Sequence, residues 1–318
     1  MICILHGYLL EGSGSNLWTR AIVDSLCRQG ETVHLMAQEN HPERYHSIVE
    51  ARHYLPDGGI EVFHRSERSD PGCCVLHKPV LSELLPVYVW DAYEEFPRVV
   101  PMIDLAEPEI EEYLDRNVRA LMRVVEENGI TAIHANHSVL MSVVAQRVCE
   151  QTGIPFSIMP HGSALEFAVK RDPRFLARAV DAFTAASIIF VHGEEMRSRV
   201  REVLPSVPGL EAKFSDLHLG VDTRQFEPVP RDGRSANITR LNDALRGLPR
   251  GRTPEMTAAM LDPLRPGMSE DELRTAFELA RGFDGKRPDA DVEARLGEID
   301  WARDPVVLFV GRLISTKG

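Results

Sequence analysis

Short apolar runs alternate with amphipathic stretches along the first ~200 residues, the pattern of β-α units that build a parallel sheet. Ile2 to Leu5 is the first run, followed by the glycine-bearing loop Glu11-Gly12-Ser13-Gly14-Ser15-Asn16. Leu17, Trp18, Ala21, Ile22, Val23 and Leu26 then recur at helical spacing, and Gly30 stands where a helix-terminating glycine is expected. Glu31 to Met36 predicts a second strand. Between about His41 and Asp104 the β-rich pieces Ile60–Phe63, Cys73–His77 and Val87–Trp90 are broken by Pro and Gly. They read as a variable insertion at one edge of the sheet.

Regular alternation returns with Pro108, which suits a first helical turn. Ile110, Tyr113, Leu114, Val118, Leu121, Met122 and Val125 line one helix face, and Gly129 closes it. Ile130–Ile133 predicts a strand with His134-Ala135-Asn136-His137 as its exit loop, and Ser138 is placed to cap the next helix, which stops near Gly153. Pro155–Met159 predicts a strand leaving through Pro160-His161-Gly162-Ser163. Asp172-Pro173 marks a helix start, and Ser187–Val191 a strand ending at His192-Gly193.

From about Arg231 to Asp300 aromatics nearly vanish and Arg, Pro and Gly increase. Ser269 with Glu272 forms a capping box ahead of Leu273 and Ala276. Pro305–Val310 is apolar throughout and predicts a buried strand, followed by Gly311-Arg312-Leu313-Ile314-Ser315-Thr316-Lys317-Gly318. The expected division is an N-terminal domain over 1–230, a helical linker or insertion over 231–303, and over 304–318 the first strand of a second β-α domain. The chain is therefore expected to be a piece of a longer protein.

Composition narrows the function. Lys+Arg 36 against Asp+Glu 48 leaves a net charge of −12, which argues against a nucleic-acid binder, whose affinity rests on cations replacing counterions. Five cysteines without a C-x-x-C spacing fit neither a disulfide framework nor a zinc site. The N-terminus lacks a basic leader region and no apolar run reaches the ~20 residues of a membrane span. A cytoplasmic protein is expected, with peripheral membrane contact left open.

Ligands of open parallel sheets bind beyond the carboxyl ends of the strands. Gly12, Ser13 and Gly14 could bring backbone N–H groups close to an anion or a sugar hydroxyl, although a plain tight turn explains them equally. The loop lacks the third glycine of a dinucleotide fingerprint, which disfavours a dehydrogenase. His161 can hydrogen-bond a substrate hydroxyl. His134 and His137, three apart, give no metal set, and they read as structural, as do His6 and His192. Arg312 and Lys317 follow a strand across one short turn and suit a diphosphate.

Met1–Asn16, the run from Ile133-His134-Ala135 through Gly153-Ile154-Pro155 to Pro160-His161-Gly162, Leu219-Gly220-Val221-Asp222-Thr223-Arg224-Gln225-Phe226, and Phe309-Val310-Gly311-Arg312 to Lys317-Gly318 come in an order and spacing that resemble the retaining GT-B glycosyltransferases of family 4. The resemblance implies two Rossmann-like domains across a cleft and transfer of a sugar from a nucleotide-diphosphate donor to an acceptor hydroxyl. It implies that Arg312 and Lys317 hold the diphosphate without a metal or other cofactor, that His161 sits beside the transferred sugar, and that Gly12–Gly14 approach the donor phosphate or the acceptor. The acceptor (glycan, lipid or small molecule) is not specified. Two departures stand out: Gly-Ser-Gly replaces the family's common adjacent glycine pair, and 231–303 exceeds the usual linker. The family's donor-holding glutamates lie beyond residue 318, so the chain alone is expected to transfer no sugar. A non-catalytic nucleotide- or glycan-binding module and a sugar-nucleotide epimerase of the same fold remain as alternatives.

Overall fold

In the first unit, Met1–Gly220, apolar strands stack side by side because each buried strand must pair its backbone N–H and C=O groups with a neighbour. The computed structural model describes residues 1–67, 71–89, 93, 95–224, 226–278 and 287–308. In chain order the unit holds β1 (Ile2–Leu5), α1 (Gly14–Arg28), β2 (Thr32–Met36), β3 (Ile48–Tyr54), β4 (Ile60–Arg65), β5 (Cys73–Pro79), β6 (Leu84–Val87), β7 (Arg98–Pro101), α2 (Glu107–Asn128), β8 (Ala132–Asn136), α3 (Met141–Thr152) and β9 (Phe156–Met159). Then follow α4 (Gly162–Ala164), which runs into a π-helical turn at Leu165–Val169, α5 (Pro173–Ala185), β10 (Ile188–Val191), α6 (Gly193–Val203), α7 (Leu210–Lys213) and β11 (Phe214–Asp216).

Nine strands form one sheet in the order β11-β10-β9-β8-β1-β2-β5-β3-β4, and β6 and β7 pair separately. Every pairing in the large sheet is parallel except β3 with β4. This is the Rossmann-like α/β class that the sequence predicts. Alternation of side chains decides which helix covers which face. Ile4, Val33, Leu35, Cys74 and Leu76 pack with Val23 and Cys27 of α1. Cys3, Leu5, Met36, Ile133 and Ala135 pack on the other side with Ile110, Leu114 and Leu121 of α2 and Val144 and Val148 of α3. Each large apolar side chain fully buried here contributes roughly 1.5–3 kcal/mol.

Local chemistry sets the helix ends. Glu109 accepts the Ala106 N–H at 2.9 Å at the start of α2, and Gly129 ends that helix in the left-handed region. Asp172 caps α5 by accepting the Arg174 N–H at 2.8 Å. Gly72 lets the loop before β5 cross the end of α1: a Cβ there would stand 2.2 Å from the Glu31 carbonyl oxygen. None of the five cysteines is in a disulfide bond.

Several expectations need correction. The segment between His41 and Asp104 is no appendage, because β5 lies directly beside β2 and, with β3 and β4, completes one half of the sheet. The β8 strand runs on to Asn136, so His134 and Asn136 belong to the strand and only His137 leaves it. Ser138 does not cap α3: Leu140 holds the cap position without a side-chain bond, and Ser138 Oγ has no partner among the described residues. The three-residue strand β11 lies between Ser187–Val191 and Pro305–Val310, where the hydrophobic pattern marked no strand.

The second unit, Val221–Gly318, contains α8 (Arg231–Leu245), α9 (Pro254–Leu261), α10 (Glu270–Glu278) and α11 (Val292–Gly297). The capping box is present: Glu272 accepts the Ser269 N–H at 2.8 Å and donates its own N–H to Ser269 Oγ at 3.3 Å. Neither α8, α9 nor α11 contains a buried residue. The described part of the expected terminal strand, residues 305–308, forms no strand, and Val307 is 97% exposed. A strand needs neighbours for its backbone groups, and 305–308 have no such neighbour among the described residues. Residues 309–318, with Arg312 and Lys317, lie outside the described residues.

Candidate functional site

Strand order creates a switch point. From β1 the chain moves to β2 on one side, while β8 and β9 continue on the other, so the carboxyl ends of β1 and β8 border the crevice where such sheets bind ligands. Three histidines converge there: His6 follows β1, His137 follows β8 and His161 follows β9. The His137 ring centroid lies 4.6 Å from that of His161 and 5.8 Å from that of His6. Tyr8 and Tyr88 flank His137 at 5.5 and 4.8 Å.

Helix α1 joins the cluster through its first turns. Ser13 is its N-cap, with Oγ accepting the Asn16 N–H at 3.4 Å, and Gly14 is its first residue. Gly12 adopts φ +88°, which favours glycine, and nothing lies within 4 Å of where a Cβ would stand on Gly12 or Gly14. The glycine loop therefore faces open space. Trp18, on the next turn, sets its indole edge-on to His161 with centroids 5.9 Å apart and contacts His134 at 6.0 Å.

Hydrogen bonds give the site direction. His6 Nε2–H donates to the Leu9 backbone carbonyl at 3.1 Å and to Asn16 Oδ1 at 3.0 Å. Its Nδ1 faces Thr19 Oγ1 at 3.1 Å. Asn136 donates its amide N–H to Thr19 Oγ1 at 2.9 Å, and its Oδ1 lies 3.3 Å from His161 Nε2. Burial lowers the His6 and His134 pKa values to about 4 and that of His161 to about 3, and holds His137 well below the ordinary histidine range. Near neutral pH all four rings are uncharged, able to donate on one nitrogen and accept on the other.

Not all of these groups are satisfied. His137 is 1% exposed, yet neither ring nitrogen has a hydrogen-bond partner among the described residues, and Tyr8 Oη, Ser138 Oγ and His134 Nε2 are likewise unpaired. Buried polar atoms without partners are uncommon in folded proteins. The backbone of His137, at φ +72°, is also in the left-handed region. Glu39, the one buried acid among the described residues, differs. Its carboxylate accepts N–H bonds from Leu10, Asn40 and His41 and the Tyr45 hydroxyl, all within 2.9–3.2 Å. It ties the loop after β1 to the end of β2 and has no capacity left for acid–base work.

The structure thus brings His161 and the Gly12–Gly14 loop to one edge, while Arg312 and Lys317 lie outside the described residues. It adds His6, Thr19, Asn136 and His137, which the sequence reading took as structural or did not single out. The available signal was the recurrence of histidine just past three strand ends; strand order, which makes those ends neighbours, was the missing part. No group of three or more His, Cys, Asp or Glu among the described residues is arranged to hold a metal ion. No described helix is long and apolar enough to cross a membrane.

No protein-family profile and no curated protein matches the chain. Among solved structures it is similar to sucrose-phosphate synthase from Thermosynechococcus elongatus, at 16% identity and a TM-score of 0.47, over 95% of this chain and 73% of that one. It is also similar to the UDP-forming α,α-trehalose-phosphate synthase from Burkholderia xenovorans solved with glucose-6-phosphate, at 11% identity and a TM-score of 0.45, over 80% of this chain and 57% of that one. A third similarity is to UDP-GlcNAc 2-epimerase from Neisseria meningitidis bound to UDP-GlcNAc, at 9% identity and a TM-score of 0.41, over 88% of this chain and 69% of that one. Likenesses this distant carry no functional argument, and the α/β class rests on the sheet itself.

Proposed function

We propose that the first unit is the acceptor-side domain of a GT-B glycosyltransferase of family 4 type, which moves a sugar from a nucleotide-diphosphate donor to an acceptor hydroxyl with retention. The observation that carries this reading is the neutral His161 at the switch-point crevice. Its Nε2 is engaged by Asn136, and its Nδ1 has no hydrogen-bond partner among the described residues. An uncharged acceptor beside an indole suits a carbohydrate, whose hydroxyls donate hydrogen bonds and whose C–H face packs on aromatic rings.

In this reading the open glycine loop at the start of α1 offers backbone N–H groups to a phosphate or an acceptor hydroxyl. Arg312 and Lys317 hold the donor diphosphate and stabilise the leaving group as charge develops on it. The reading asks for no metal. The epimerase alternative calls for free carboxylates, and the buried acid at this edge, Glu39, is saturated. A binding module without turnover differs from the enzyme in its transfer activity alone.

A screen of UDP-, GDP- and ADP-linked hexoses, following tryptophan fluorescence on binding, tests the proposal. His161→Ala is expected to weaken the response to the cognate donor about tenfold, the equivalent of one lost hydrogen bond of ~1.4 kcal/mol. Lys317→Ala is expected to lower affinity for the diphosphate-bearing donor but not for the free hexose. Responses unchanged in both variants would overturn the site.

A further inference from the structure

A backbone carbonyl cannot change its polarity, and the one on Leu9 sets the proton of His6, which stands at the head of a chain running through Thr19 and Asn136 to His161. Because His6 Nε2 faces the Leu9 backbone carbonyl at 3.1 Å and Asn16 Oδ1 at 3.0 Å, the latter oriented by the Asn16 amide N–H donating to the Glu11 carbonyl, that nitrogen carries the proton. The ring is neutral, so His6 Nδ1 is a bare lone pair. The groups facing it are the Thr19 hydroxyl at 3.1 Å and the Asn136 amide nitrogen at 3.5 Å. Thr19 has a single proton, directed to the Ser15 carbonyl at 2.8 Å or to His6, and in either case its oxygen accepts from Asn136. The NH2 end of Asn136 is thereby turned toward α1 and its oxygen toward His161 Nε2, 3.3 Å away. Asn136 Oδ1 bears no proton, so a hydrogen bond across this gap needs the His161 proton on Nε2.

We propose that Asn136, oriented by Thr19 and His6, is a positioning residue that locks His161 in its Nε2–H tautomer and so presents Nδ1 as an acceptor for a ligand hydroxyl. This rests on the reading of His161 as the residue beside the sugar, but the tautomer itself can be observed without any ligand. The other ionisable groups that face His161 are His6, His134, His137 and His192, with the Arg199 guanidinium beside Gly162, and none of them is an anion that would select the tautomer in place of Asn136. Asn136 and Thr19 are both fully buried, which keeps water from relaxing the chain.

Long-range proton–nitrogen correlation spectra of the 15N-histidine-labelled protein at pH 7 test this directly. The expected pattern for His161 is a protonated Nε2 and a bare Nδ1. Asn136→Ala removes the acceptor and is expected to give a mixture of both tautomers. Asn136→Asp puts a carboxylate beside the ring and is expected to move the His161 titration upward from about 3, since an adjacent anion favours the charged imidazole. Thr19→Val, which frees the Asn136 amide to turn, is expected to produce a smaller admixture. Unchanged His34 and His77 signals report that each variant is folded. A protonated Nδ1 on His161 in the wild type, or the same pattern in folded Asn136→Ala and Asn136→Asp, would overturn the relay. If the tautomer is as stated but His161→Ala leaves sugar binding unchanged, the relay stands and the functional reading fails.

Discussion

The sheet carries two buried histidine groups that differ in what they leave over. On one side of β1, Tyr54 Oη lies 2.7 Å from His77 Nδ1, His77 Nε2 meets His34 Nδ1 at 2.9 Å, and His34 Nε2 lies 3.2 Å from Met1 Sδ. Every ring nitrogen on this line has a partner, and none is spare. On the other side His6 and Asn136 are also fully bonded, but their chain ends at His161 Nδ1, and both nitrogens of the adjacent His137 are unpaired among the described residues. Both groups are desolvated and neutral. The first has the economy of a structural network, and the second keeps unspent hydrogen-bonding capacity at the carboxyl edge of a parallel sheet. Burial alone does not distinguish the two groups; the pairing of their nitrogens does.

Acid should test both groups with the largest effect. His6, His34, His134 and His161 keep pKa values of about 3 to 4 when folded, whereas an unfolded histidine titrates near 6.5. Below pH 6.5 the unfolded chain binds protons that the folded chain refuses, so stability is full above that value and falls as pH drops toward about 4. Each such histidine contributes up to about 1.4 kcal/mol per pH unit across the window. Urea unfolding of the protein at pH 7, 6 and 5 measures the slope, and His34→Gln is expected to reduce it by about one proton.

A matched pair of ring-preserving substitutions separates the two groups next. His77→Phe strands His34 Nδ1 and leaves the Tyr54 hydroxyl with Arg52 alone, and is expected to cost about 1–3 kcal/mol. His137→Phe breaks no hydrogen bond among the described residues and is expected to change stability by no more than about 1 kcal/mol, part of it from the left-handed backbone. Equal losses in urea titrations would erase the distinction. The smallest contrast is Tyr54→Phe, expected at about 1 kcal/mol, against Ser138→Ala, expected within about 0.5 kcal/mol because the Ser138 hydroxyl is unpaired.

The α/β class was legible from the sequence because β1, β2, β9 and β10 are short apolar runs set off by amphipathic helices, and because Gly129 and Asp172 mark helix ends by chemistry that acts within a few residues. The β5 strand was misread as part of an insertion: nothing local to Cys73–Pro79 reveals that it pairs with β2, a non-local choice. His161 stood out because a Pro-His-Gly exit loop is conspicuous. Asn136 did not, because the predicted strand stopped at Ile133, three residues short of the end of β8. His6 and His137 were visible one at a time as strand-end residues. Their meeting depends on β1 lying between β2 and β8, which no local pattern encodes.

On the proposal above, His161 Nδ1 is an acceptor kept for a carbohydrate hydroxyl, whereas the nitrogens of His34 and His77 are already in use. Titrating the 15N-histidine-labelled protein with a nucleotide-linked hexose while following all ring nitrogens distinguishes the two groups. A saturable shift confined to His161 Nδ1 and its neighbours His137 and His6 is expected, with His34 and His77 unmoved. Binding that leaves His161 Nδ1 unshifted, or that moves His34 and His77 instead, would contradict it.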